Sequence, residues 1–172
     1  MAESTTGVTP EPGELPQGRF SGRNDFRDLV RDAFAAAVRE DWRQIIISDA
    51  DFDDWPLGER AVAQSLNDWS RSGRSFVMIA RNYDTLIREH ARFVTWRKTW
   101  GHIIECWACG SADPLEMPSA IWSPQWAMHR LDPERCNGVA GREPERRVAL
   151  RESLDEWVRK SAPGFPASTL GL

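Results

Sequence analysis

An acidic loop, Asp49-Ala50-Asp51-Phe52-Asp53-Asp54, follows directly on the apolar run Gln44-Ile45-Ile46-Ile47-Ser48. A short β-branched run of this kind reads as a strand buried on both faces. Open α/β sheets gather ligands at the carboxyl ends of such strands. Two carboxylates one residue apart, Asp49 and Asp51, can supply a nucleophile and an acid or base around magnesium, which is the chemistry of a metal-dependent phosphohydrolase. The plainer alternative is a solvated loop whose acids, Asp53 among them, favour the amino end of a helix starting near Pro56 or Gly58. A calcium loop is excluded, because Asp54 stands where glycine is required and Arg60 where the bidentate glutamate should be.

Cys106-Trp107-Ala108-Cys109 places two thiols at a spacing that can chelate zinc or form a redox pair, and His129 with Cys136 could complete a Cys3His set. A thioredoxin-like site needs the pair at the start of a helix after the first strand. Here it follows the third predicted strand and runs into Gly110. Core burial is the simplest role for these cysteines, so the expectation is no cofactor, with zinc as the alternative. Of the histidines, His90 falls near the apolar face of a predicted helix and reads as a packing residue. His102 sits at a helix carboxyl end, where the dipole favours it, and no acid or nucleophile can be placed beside His129. The sequence has no Gly-x-Ser-x-Gly elbow, Walker loop or Gly-x-Gly-x-x-Gly fingerprint, so no catalytic residue is assigned.

Arginines supply the other candidates. Arg81 ends the second predicted strand, and Arg88, Arg92, Trp96 and Arg97 interleave cations with an aromatic, a pattern suited to stacking on bases or clamping a phosphate. Against it stand 26 acidic residues to 22 basic ones and a net charge of -4. That balance favours a solvated arginine face and argues against nucleic acid as a partner. The candidate ligand-binding set is therefore Asp49, Asp51, Asp53, Arg81, Arg88 and Arg92, on the face where the acidic loop and the arginine-rich helix end.

A chain of 172 residues, 41% of them hydrophobic, can bury about 70% of its unfolded surface without disulfides or metals. Residues 1–23 are rich in Pro, Gly, Ser and Thr and predict a disordered tail; 162–172 predict a flexible one, leaving a single α/β domain over 24–161. Helical spacing from Phe26 to Val38, with Asn24 or Asp25 as cap, opens that domain. The strand at 44–48 follows, then a helix at 61–69, a strand at 76–80, one helix from Tyr83 to Trp100 and a strand at 102–107. Ala120-Ile121-Trp122 and Trp126-Ala127-Met128-His129 flank a Ser-Pro-Gln turn and predict a hairpin. A closing helix begins near Pro144. This order predicts an α/β fold with a mixed, mainly parallel sheet, helices on both faces and a C-terminal antiparallel hairpin. Nine tryptophans predict a large aromatic core. With no leader-like N-terminus, no membrane-length apolar run and an odd number of cysteines, a reducing, cytoplasmic setting is expected.

Two resemblances follow. The apolar strand running into Asp-x-Asp resembles the nucleophile motif of haloacid-dehalogenase-type phosphatases, although no Ser, Thr, lysine or later acidic pair completes that pattern here. From about residue 43 to 160, the element order resembles one half of the phospholipase D superfamily fold, above all the small bacterial members with a single degenerate copy. The Asp-rich stretch, the segment Trp96-Arg97-Lys98-Thr99-Trp100-Gly101-His102-Ile103-Ile104-Glu105 and a late Glu152-x-x-Asp155-Glu156-Trp157 share its texture. Catalytic members carry His-x-Lys followed by an aspartate. Here His90 is followed by Ala91-Arg92, His102 by Ile103-Ile104 and His129 by Arg130-Leu131. The resemblance thus implies a pseudoenzyme, a binding or regulatory domain for a protein partner or small ligand. Since catalytic members join two halves, it also implies a possible homodimer.

Overall fold

The structure, a computed structural model, describes residues 14–167. The expected tails therefore lie outside the described residues over 1–13 and 168–172. The first described strand is β1, Gly18–Phe20. Helix α1, Arg23–Arg39, follows and starts from Gly22 at φ 97° without a side-chain cap, leaving Asp25 in its first turn. Next come β2 (Gln44–Ser48), α2 (Arg60–Trp69) and β3 (Ser75–Ala80). Helices α3 (Asp84–Glu89) and α4 (Ala91–Thr99) then lead through a single turn of 3-10 helix to β4, Ile104–Ala108. The chain continues as β5 (Ser119–Trp122), β6 (Ala127–Asp132), β7 (Asn137–Gly141), α5 (Pro144–Arg159) and β8 (Ala162–Pro163).

The eight strands among the described residues join one sheet in the order β1-β7-β6-β5-β2-β3-β4-β8. The α/β class holds, but the mainly parallel sheet does not. Only β2–β3 and β3–β4 are parallel, and the other adjacent pairs are antiparallel. The hairpin grows into a three-strand meander because β7 joins it, although Asn137-Gly138-Val139-Ala140-Gly141 has only one β-branched residue and two glycines. The edges are short strands from segments expected to be tails. Gly18–Phe20 pairs with β7, next to a fully buried Leu15, and Ala162–Pro163 pairs with the end of β4. A proline is tolerated there because an edge strand has one side free of partners.

Alternation sorts the residues of the central strands between two layers. Ile45, Ile47, Phe76, Met78, Cys106, Ile121 and Met128 face the layer of α1, α2 and α4, with Phe26, Phe34, Leu66, Phe93 and Trp96. Ile46, Val77, Ile79, Ala120 and Trp122 face α5 through Leu150 and Leu154. Helices therefore cover both faces, and no helix among the described residues is long and apolar enough to cross a membrane. The single helix expected from Tyr83 to Trp100 is broken at His90, whose φ of -122° and ψ of 63° lie outside the helical region. The side chain accounts for the break, as described next.

Candidate functional site

The acidic loop is built by its first residue. The Asp49 backbone extends the parallel ladder, its N–H donating to Ile79 O at 3.2 Å. Its Oδ2 accepts the backbone N–H groups of Asp51 at 3.2 Å and Phe52 at 2.8 Å. This Asx-type turn throws Phe52 into the left-handed region, at φ 59°, and buries its ring against Trp55, 4.9 Å away between centroids. His90 Nε2–H donates to Phe52 O at 3.0 Å, so the buried imidazole that interrupts the helix also ties down the loop. Arg27 donates to Asp54 O at 3.3 Å and Arg92 to Gly58 O at 2.8 Å, both from neighbouring helices.

Glu59, preceding α2, receives Arg31 at 2.6 and 2.8 Å and Arg27 at 3.2 Å. The hydrogen bond from Arg31 leads the causes that hold its carboxyl down at about 2, against an ordinary value of 4.5. A depressed carboxyl pKa adds stability above the unfolded value, and that stability is lost as pH falls through the folded one. Glu59→Gln should therefore cost about 1 kcal/mol at neutral pH, a figure reduced for solvent screening of a partly exposed pair. In urea titrations the gap between the two proteins should stay constant above about pH 4.5 and close as pH falls toward 2.

The centre of the site is a residue absent from the candidate set. Arg130 lies on β6 opposite Ser119 of β5 and Gly138 of β7, in phase with Trp126 and Met128, and so points into the α1 layer. Its side chain is 2% exposed. Nε donates to Ser119 Oγ at 3.0 Å, Nη2 to Asp49 Oδ1 at 3.0 Å and to Asp54 Oδ1 at 3.2 Å, and Nη1 to Asp54 Oδ2 at 2.6 Å and Cys136 Sγ at 3.4 Å. All five guanidinium N–H donors are thus engaged. The Phe26 ring lies 4.1 Å beneath the guanidinium carbon. Burial works against the charge, but the Asp54 hydrogen bond and the fields of Asp49 and Asp54 outweigh it and hold the arginine pKa above its ordinary value.

Above this floor opens a cavity of about 260 Å³, walled by the acidic loop, by Pro114, Leu115 and Met117 of the β4–β5 connection, and by Arg23. It lies beyond the carboxyl end of β2, between a parallel neighbour, β3, and an antiparallel one, β5. The strand order reverses here, with β2 to β4 laid down on one side and β5 to β7 on the other, and open sheets form crevices at such points. Asp51 is half-buried and spends one oxygen on the Asp53 N–H at 3.0 Å. Asp53 is exposed, and its carboxylate has no partner among the described residues. Four carboxylates therefore meet two guanidiniums, those of Arg23 and Arg130, and the rim is acidic.

The remaining candidates scatter. Arg81 donates its backbone N–H to Ala50 O at 3.0 Å, while its Nε is buried without a hydrogen-bond partner among the described residues. Arg88 pairs on the surface with Glu89, and Arg92 serves the loop backbone as described. The proposed metal set does not converge. Cys106 on β4 and Cys109, the residue after its end, face opposite layers, Cys106 beside Met78 Sδ at 4.0 Å and Cys109 beside Lys160 O at 3.8 Å. Burial pushes the Cys106 thiol up to about 12. Cys136 instead joins the Arg130 cluster, and His129, half-buried on the other face of β6, has its pKa lowered by desolvation. Among the described residues no group of three or more His, Cys, Asp or Glu is arranged to hold a metal ion. One signal in the sequence points to Arg130: it continues the inward phase of Trp126 and Met128. Its pairing with Asp49 and Asp54 across 81 and 76 residues left no local trace.

No protein-family model matches the chain, and no curated protein matches it. Among solved structures it is similar to TrmBL2, an archaeal chromatin protein whose structure is described as showing a novel mode of DNA binding. The TM-score is 0.60 at 11% identity, covering 85% of this chain and 53% of that one. The chain thus spans about half the length of that protein, and the likeness shows a shared fold.

Proposed function

We propose that the chain is a non-enzymatic α/β binding or regulatory domain of phospholipase D-like topology, with its ligand site in the crevice above Arg130. The observation that carries this reading is the saturation of the cluster: every Arg130 donor is engaged and both Asp49 oxygens already accept hydrogen bonds. A nucleophile or general base needs a lone pair free to meet its substrate. Asp49 commits three of its roughly four lone-pair sites to the loop and to Arg130 and is itself buried, which favours scaffolding over phosphohydrolysis. The topology rests on the element order from β2 to α5, and the missing His-x-Lys supports the absence of that family's catalysis. TrmBL2 binds DNA, but a net charge of -4 and an acidic rim argue against carrying that partner over. Three free thiols fit a reducing compartment, and we place the protein in the cytoplasm.

The available groups at the rim are the Asp51 and Asp53 carboxylates, opposite the apolar wall of Pro114, Leu115 and Met117. They suit a small ligand with a cationic head and a short apolar body. Calorimetric titration with butylguanidinium should show saturable binding that falls at least about tenfold in the Asp51→Asn/Asp53→Asn variant, whereas butyrate should not bind. Binding that ignores the double substitution, or that favours butyrate, would overturn the assignment.

A further inference from the structure

A second concave site lies at the opposite end of the sheet, where α1 hands over to β2 and α2 to β3. It encloses about 220 Å³ and is lined by Asp41, Arg43, Arg71, Ser72, Gly73 and Arg74. Asp41 sits in the left-handed region at φ 59°, and Gly73 at φ 92° completes the turn closed by Arg74 N–H on Arg71 O. Arg74 is the fixed part of the site. Its side chain is 7% exposed, lies over the Trp69 ring at 5.5 Å and donates to Trp42 O. Arg71 Nη2 at 2.6 Å and Arg74 Nη2 at 2.5 Å converge on the same oxygen, Asp41 Oδ1. The exposed Arg43 side chain has no hydrogen-bond or ion-pair partner among the described residues, while its backbone O accepts the Ser75 N–H at 3.1 Å.

Three guanidiniums thus line a concavity that holds one carboxylate, and two of them share it, in a protein whose net charge is -4. The carboxyl ends of α1 and α2 point the same way and supply about half a negative charge each, which leaves a cationic surplus. Ion-pair formation for stability alone needs one arginine per carboxylate. Here one cation is buried, one is shared and one is unpaired around an open concavity, the arrangement that binds a tetrahedral oxyanion through several N–H donors. We propose that Arg43, Arg71 and Arg74 form a phosphate-binding site, with Asp41 holding the arginines in place until the anion arrives. The ligand's phosphate belongs either to a small phosphorylated molecule or to a nucleic-acid backbone.

The test is a calorimetric titration with inorganic phosphate of the wild type, Asp41→Asn and Arg43→Ala/Arg71→Ala, at constant ionic strength. Asparagine tolerates the left-handed backbone as aspartate does, so Asp41→Asn removes the competing charge while keeping the turn. Phosphate should bind the wild type saturably, bind Asp41→Asn roughly three- to tenfold tighter, and bind the double variant at least about tenfold more weakly. Arg43→Ala alone, which removes an exposed and unpaired side chain, serves if the double variant fails to fold and should still weaken binding. A short DNA duplex in a parallel titration distinguishes the sources. Displacement of phosphate by the duplex, lost in Arg43→Ala, assigns the group to a nucleic-acid backbone, and phosphate binding without duplex binding assigns it to a small molecule. Absence of both, or Asp41→Asn binding phosphate no better than the wild type, overturns the site and leaves a purely structural ion cluster.

Discussion

Arg130→Met is expected to lower the stability of the fold by about 3–5 kcal/mol, because removing one partner of a buried ion cluster leaves Asp49 and Asp54 charged and uncompensated. Methionine can fill the space beside Phe26 but cannot replace five N–H donors, so the loss is electrostatic and not a cavity effect. In a chain of this size it amounts to a fall of about 10 °C in melting temperature. Adding Asp49→Asn removes one of the stranded charges. The double variant should therefore be more stable than the sum of the two single losses by about 1–2 kcal/mol. Urea denaturation of the four proteins of this cycle measures the coupling, and strictly additive costs would contradict the account of the cluster.

Gly138→Ala should be comparably severe, though the residue is small and sits in a short strand next to the sheet edge. A Cβ there would lie 2.2 Å from His129 O, 2.6 Å from the Phe20 ring and 2.7 Å from Arg130 Cα. Two of these neighbours are backbone of β6 and cannot rotate away. The methyl group must push β7 off β6 or expel Phe20, which is 8% exposed and helps anchor β1. A loss of about 3 kcal/mol or more is expected from overpacking of this kind. Because Arg130 is the residue displaced, the variant should also expose Cys136, which buries its thiol against that guanidinium. Faster reaction of Cys136 with a thiol reagent under native conditions, alongside a lower urea midpoint, would show both effects. Unchanged reactivity and midpoint would mean that β7 is not clamped by this contact.

The parts of the fold legible in the sequence are those whose periodicity is local. The run Ile45-Ile46-Ile47 and the face Phe26, Leu29, Val30, Ala33 and Phe34 identified β2 and α1 because burial dictated every position. The edges were not legible. Gly18–Phe20 and Ala162–Pro163 have almost no side-chain signature of their own and become strands only because β7 and β4 present unpaired ladders to them. β7 was hidden by its glycines, one of which is there to let β1 and β6 approach. The sheet's balance of parallel and antiparallel pairs followed from those three omissions. Of the site, the Asp49 loop was legible as a strand end rich in carboxylates. Arg130 carried one weak local signal, its place in the inward phase of Trp126 and Met128, but the partners that make it the centre of the site lie 81 and 76 residues away in the sequence. His90 was read correctly as a packing residue, but its bond to Phe52 O and the helix break that this bond imposes depend on tertiary contact.

We propose that the crevice above Arg130 binds a ligand and performs no hydrolysis. The most direct measurement follows nitrophenol release from bis(p-nitrophenyl) phosphate and p-nitrophenyl phosphate, with and without magnesium, using wild-type protein and Asp49→Asn in parallel. Rates at the buffer background for both proteins, with and without metal, are the expected result. Magnesium-dependent release by the wild type that disappears in a folded Asp49→Asn protein would contradict it and make Asp49 a nucleophile.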